Sequence, residues 1–147
     1  MKTYVIAEIG INHNGSLETA KKLIDLAVVS GCDAVKFQKR NPDREQYDEI
    51  DLYCKEKGID WTASPWDLDS LQFLEKYDVP WIKIPSAMIT NEDLMKASAK
   101  TGKKIIFSVG MSTYEEIDQA CGWLESNEVV MLHCNSSYPA PLEELNL

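Results

Sequence analysis

The chain has 147 residues, 44% hydrophobic and 27% charged, which suits one compact domain with a sizeable core and excludes a disordered or membrane-embedded chain. Its net charge of −9 argues against nucleic acid as a partner, yet a few buried lysines can still make a local site for a small anion. No apolar run approaches the roughly 20 residues of a membrane helix. Glu8 sits inside the apolar stretch at the N-terminus, so that segment reads as a first strand and not as a signal peptide.

Strands and helices alternate along the chain. A β-rich run over 4–9 is closed by Gly10, and Asn14-Gly15-Ser16 turns the chain with Ser16 as N-cap. Leu17, Ala20, Leu23, Ile24 and Ala27 follow at helical spacing until Gly31. The second strand covers 34–38. A charged segment over 43–57 carries Tyr47, Ile50, Tyr53 and Cys54 on one helical face and ends at Gly58. The third strand covers 59–63, with a helix over 67–77 behind it. The fourth covers 81–84, and its helix opens on Thr90-Asn91-Glu92-Asp93, a loose capping box, and stops at Gly102. The fifth covers 104–108, with a helix over 113–125, and the sixth covers 129–133. Six strands joined by helices through short loops predict a parallel sheet with right-handed crossovers. Its closure is either an open doubly wound sheet or part of a barrel. No linker or low-complexity tract divides the chain, so residues 1–147 read as one domain.

Side chains alternate across a strand, which sorts the polar residues. Val35 and Phe37 oppose Ala34, Lys36 and Gln38; Ile82 and Ile84 oppose Lys83; Ile105 and Phe107 oppose Ile106 and Ser108. The apolar set packs under the helices. Glu8, Lys36, Ser64, Lys83, Ser108 and the stretch 135–138 fall near successive strand ends, where a barrel carries its active site. Lys36 and Lys83 interrupt β-branched and aromatic strands, a disfavoured place for lysine, and read as functional. Other polar residues have plainer readings. His13 is a loop hydrogen-bonder, and His133 is a satisfied core histidine. Cys32 and Cys134 are core packing in a chain with no CxxC pair, and reduced cytoplasmic thiols are expected. The four tryptophans are packing residues.

The strand-end segments are similar to motifs of one family. Ile6-Ala7-Glu8-Ile9-Gly10-Ile11-Asn12-His13-Asn14-Gly15-Ser16-Leu17 and Ala34-Val35-Lys36-Phe37-Gln38 open the series. Thr62-Ala63-Ser64-Pro65-Trp66-Asp67, Lys83-Ile84-Pro85-Ser86-Ala87 and Ser108-Val109-Gly110-Met111-Ser112 continue it, and Leu132-His133-Cys134-Asn135-Ser136-Ser137-Tyr138-Pro139 completes it. Six motifs in order, across essentially the whole chain, resemble the sialic acid synthase family.

The resemblance implies a parallel (β/α) TIM barrel, here about six βα units of eight. It implies condensation of phosphoenolpyruvate with an N-acyl amino sugar. Lys36 and Lys83 would grip carboxylate and phosphate, Ser64, Ser86 and Ser108 would donate hydroxyls, and Glu8 would be the catalytic acid/base or orienting group. Tyr138 and Ser136 would border the sugar. It also implies a divalent metal, manganese or magnesium, whose two histidine ligands come from later strands and are absent from this chain. The family's C-terminal antifreeze-like domain and its long insertion after the second strand are absent too; Asn41-Pro42-Asp43 runs almost directly into the second helix. Met88 stands where many members have Glu, and Ser136 where some have Asn. The expectations are therefore a partial enzyme completed by self-association or a complementing chain, or a non-catalytic remnant or interaction module retaining part of the phosphoenolpyruvate site. A phosphoenolpyruvate aldolase acting on a phosphorylated sugar is disfavoured by Asn12-His13-Asn14-Gly15.

Overall fold

The computed structural model describes residues 2–39, 44–137 and 139–144. In chain order these form β1 (Ile6–Gly10), α1 (Leu17–Val29), β2 (Ala34–Lys39), α2 (Arg44–Lys57), β3 (Asp60–Pro65) and α3 (Leu68–Leu74). Then come β4 (Trp81–Ile84), a 3-10 turn (Ser86–Met88), α4 (Glu92–Lys100), β5 (Lys104–Ser108), α5 (Tyr114–Trp123), β6 (Val129–Leu132) and a second 3-10 turn (Leu142–Glu144). No helix among the described residues is long and apolar enough to cross a membrane.

The helix starts are set by local hydrogen bonds. Ser16 accepts from the Thr19 amide and Asp67 from the Ser70 amide, and Thr113 and Glu116 form a reciprocal capping box. The α4 cap differs from the expected box: Asn91, not Thr90, is the N-cap, its Oδ1 accepting from the Leu94 amide at 3.1 Å. Helix α3 ends at Leu74, short of Tyr77. Tyr77 then turns inward against Trp61 and Phe73, with ring centroids 5.3 and 5.2 Å away. Burying that ring outweighs the last helical turn.

The strands are parallel and in sequential order, but they form two three-stranded sheets, β1-β2-β3 and β4-β5-β6. Instead of a backbone ladder between β3 and β4, the buried Thr62 hydroxyl donates to the Trp81 carbonyl at 3.0 Å. The two faces differ as alternation predicts. Val35, Phe37, Ile82, Ile84, Ile105 and Phe107 join the large core under the helices. On the opposite face Ala34, Trp81 and Ile106, with Ile6, Val130 and Leu132 against them, make a small apolar floor. The polar strand ends rise above that floor.

Two sequence readings fail at β6. His133 is exposed and not a core histidine: among the described residues β6 pairs only with β5, and Val129 and Met131 on it are exposed as well. Cys134 is half-buried at the mouth of a cavity and not in the core, whereas Cys32 does pack against the core. All four cysteines are free thiols, and burial pushes that of Cys54 up to about 12.

Candidate anion site at the strand ends

Above the floor lies an open cavity of about 750 Å³. Glu8, Lys36, Ser64, Lys83, Ser86, Ser108 and Ser136, all expected at the site, line it. Tyr138 lies outside the described residues.

Register brings these groups together. Glu8 pairs level with Lys36 across β1 and β2, and Gln38 with Ser64 across β2 and β3. Both lysines are 7% exposed, so their stems are desolvated by the strands while their ammonium groups reach the cavity. Lys36 Nζ lies 2.6 Å from Glu8 Oε2 and donates to Ser64 Oγ at 3.0 Å. Lys83 Nζ donates to Ser108 Oγ at 2.6 Å and to the Ile84 carbonyl at 2.9 Å. Burial, and then the neighbouring Lys36 charge, lower the Lys83 amine from 10.5 to about 8; Cys134 and Glu8 act weakly in the opposite direction. Two buried cations flanked by hydroxyls can hold a carboxylate or a phosphate by charge-assisted hydrogen bonds.

Five further residues at this mouth were not read as site residues from sequence. Gln38, Asn12, Trp66 and Cys134 line the cavity. Gln38 was legible in principle, since it follows Lys36 by two on the same face. Trp66 thus borders the site, while Trp61 and Trp81 are buried packing residues. The fifth is Gly110, whose amide donates to Ser86 Oγ at 3.0 Å. A Cβ there would come within 3.1 Å of Ser86 Oγ, 3.2 Å of the Cys134 carbonyl and 3.3 Å of Ser136 Oγ. Alternation and turn chemistry do not separate this glycine from an ordinary turn residue; its signal in the sequence is its place in the segment Ser108-Val109-Gly110-Met111-Ser112. Gly110→Ala is expected to cost about 1–3 kcal/mol by overpacking and to weaken phosphate binding by displacing Ser86. Thermal melts and phosphate titration together check it, and unchanged phosphate affinity would refute the link to Ser86.

The other sequence candidates separate cleanly. His13 Nδ1 accepts from the Gly15 amide at 3.3 Å, the loop role expected of it, and burial lowers its pKa. Met88 packs against the helix-side core and does not line the cavity. Among the described residues no group of three or more His, Cys, Asp and Glu side chains could hold a metal ion. Glu8, the acid nearest the cavity, is already paired with Lys36. The described residues do not fit a resident divalent ion.

The fold and the site define a partial (β/α) barrel with a two-lysine pocket at its C-terminal mouth. A profile of the NeuB family matches residues 42–147, and the chain belongs to that family. It is 37% identical to the N,N'-diacetyllegionaminic acid synthase of Campylobacter jejuni, over 99% of this chain and 55% of that one. It is 34% identical to the N-acetylneuraminate-9-phosphate synthase of Drosophila melanogaster, over 98% of this chain and 48% of that one. Among solved structures, an N-acetylneuraminic acid synthetase of Leptospira borgpetersenii, crystallised with citrate, superposes with a TM-score of 0.89 at 30% identity, over 99% of this chain and 59% of that one. The chain spans about half the length of the curated relatives it matches.

Proposed function

We propose that this chain carries the phosphoenolpyruvate-binding half of an N-acylneuraminate-type synthase, as one partial barrel domain working in the cytoplasm. The observation that carries the reading is the pair of buried lysines, each with a serine hydroxyl, facing one cavity from β2 and β4. Phosphoenolpyruvate has an anion at each end, and two fixed cations with directional donors match it. Lys36 and Ser64 take one anionic end, and Lys83, Ser108 and Ser86 the other.

In the reaction, the enol carbon of phosphoenolpyruvate bonds to the aldehyde carbon of an open-chain N-acyl amino sugar, and the aldehyde oxygen takes a proton. Water adds at C2, and phosphate leaves as the C–O bond breaks to give the 2-oxo acid. Glu8, half-exposed and hydrogen-bonded to Lys36, reaches the space above the anion and serves as acid/base or orienting group. Ser136 borders the sugar, as does Tyr138 by resemblance. A manganese or magnesium ion belongs to the same reading, with its ligands supplied from outside these residues.

The partners are the two substrates and a complementing chain or second copy. Phosphate release from phosphoenolpyruvate with N-acetylmannosamine and manganese tests this. The 147 residues alone are expected to be silent, and release should appear when the C-terminal half of the Campylobacter synthase is supplied. Turnover by the short chain alone would overturn the need for a complement. Silence in both arms, with phosphoenolpyruvate still bound, would favour a non-catalytic remnant; Met88 facing the core and not the cavity is the observation on that side.

A further inference from the structure

The Lys83 amine has a setting that anion binding does not by itself require. Lys36 has a carboxylate at 2.6 Å, but among the described residues no carboxylate lies in ion-pair range of Lys83. Its partners are a hydroxyl and a backbone carbonyl, both of which leave the nitrogen lone pair usable once a proton departs. It is buried, and it opens onto a cavity of about 750 Å³ that admits a small ligand. A second ammonium, Lys36, shares that cavity. Desolvation beside another cation is the setting in which a lysine becomes a nucleophile toward carbonyl compounds.

We infer that Lys83 is also a covalent site: its amine condenses reversibly with the carbonyl of a small 2-oxo acid, whose carboxylate is held by Lys36 and Ser64. The neutral nitrogen attacks the carbonyl carbon, the C–N bond forms, and the carbonyl oxygen takes a proton. The carbinolamine then loses that oxygen as water, leaving an imine, with no oxidant or reductant consumed. The groups facing Lys83 are Lys36 from β2, which lowers its pKa, Glu8 from β1 and Cys134 after β6, which oppose that weakly, and the neutral Ser108. With the amine near 8, about half is neutral at pH 8, against roughly a few parts in a thousand for an ordinary lysine. This site uses the proposed anion pocket but does not depend on the condensation reaction.

The test is borohydride trapping of the 147-residue chain with pyruvate, followed by peptide mass mapping. The expected result is one reduced adduct on Lys83, formed on the order of tenfold faster than on exposed lysines such as Lys22. Excess inorganic phosphate should suppress it, and Lys83→Met should abolish it. Lys36→Met should lower labelling and move its pH profile upward, because the neighbouring charge is gone; a purely structural role for Lys36 would not move the profile. Adducts spread evenly over exposed lysines with Lys83 unmodified would overturn the inference, and the wild-type map decides this even if the variants fail to fold. Phosphoenolpyruvate binding without a Lys83 adduct removes this inference and leaves the proposed function standing. An adduct without phosphoenolpyruvate binding supports it and removes the other.

Discussion

Lys83→Met should bind phosphoenolpyruvate about 10- to 150-fold more weakly than the wild type while being more stable. The affinity loss corresponds to about 1.5–3 kcal/mol for charge-assisted hydrogen bonds from a buried ammonium. The stability gain has a separate cause. Burial and the Lys36 charge penalise the ammonium form in the fold, so an apolar side chain of similar length should add about 1–3 kcal/mol at pH 7. The folded value, about 8, lies below the ordinary 10.5, so the unfolded chain holds more protons between those limits. Wild-type stability should therefore rise with pH from about 8 to 10.5, and Lys83→Met should lack this rise. Anion affinity should run the other way, falling as pH rises through about 8 while the ammonium deprotonates. Calorimetry and denaturant melts across that range check both. A destabilised Lys83→Met with unchanged ligand affinity would mean that the lysine is structural.

Glu8→Gln should separate binding from catalysis in the opposite sense. The Glu8 carboxylate lies 2.6 Å from Lys36 Nζ and competes with any anion for that cation. Because Glu8 is half-exposed, the competition is screened, and removing its charge should tighten phosphate binding only about two- to fivefold. Turnover in the complemented enzyme should nevertheless fall by about 10²–10⁴, the range for a lost acid/base group. Phosphate titration of the chain and phosphate release by the assembly give the two readouts. Weaker phosphate binding in Glu8→Gln would show that Glu8 supports the ligand and does not compete with it.

Much of this was legible because alternation is a short-range rule. Lys36 and Lys83 stand between apolar neighbours that go to the helix side, so both lysines must point the other way. Ser64 and Ser108 follow from the same count. Errors came where a residue's surroundings are set by segments distant in sequence. His133 and Cys134 continue an apolar strand and look like core, yet β6 lies at the end of its sheet and the chain beyond it bends over the cavity. The Thr90 cap was displaced by one residue because either residue could serve locally, and only the backbone path selected Asn91.

Local pattern by itself determined the six strands and the five helices between them, the helix cap at Ser16, and the polar character of the strand ends, because periodicity and capping act within a few residues. Only the tertiary structure decided the seam bridged by Thr62, the crowding of Ser86, Cys134 and Ser136 around Gly110, and the depressed basicity of Lys83. Each of these depends on groups at least 19 residues apart meeting in a desolvated space, and neither separation nor dielectric is written in any short stretch of chain.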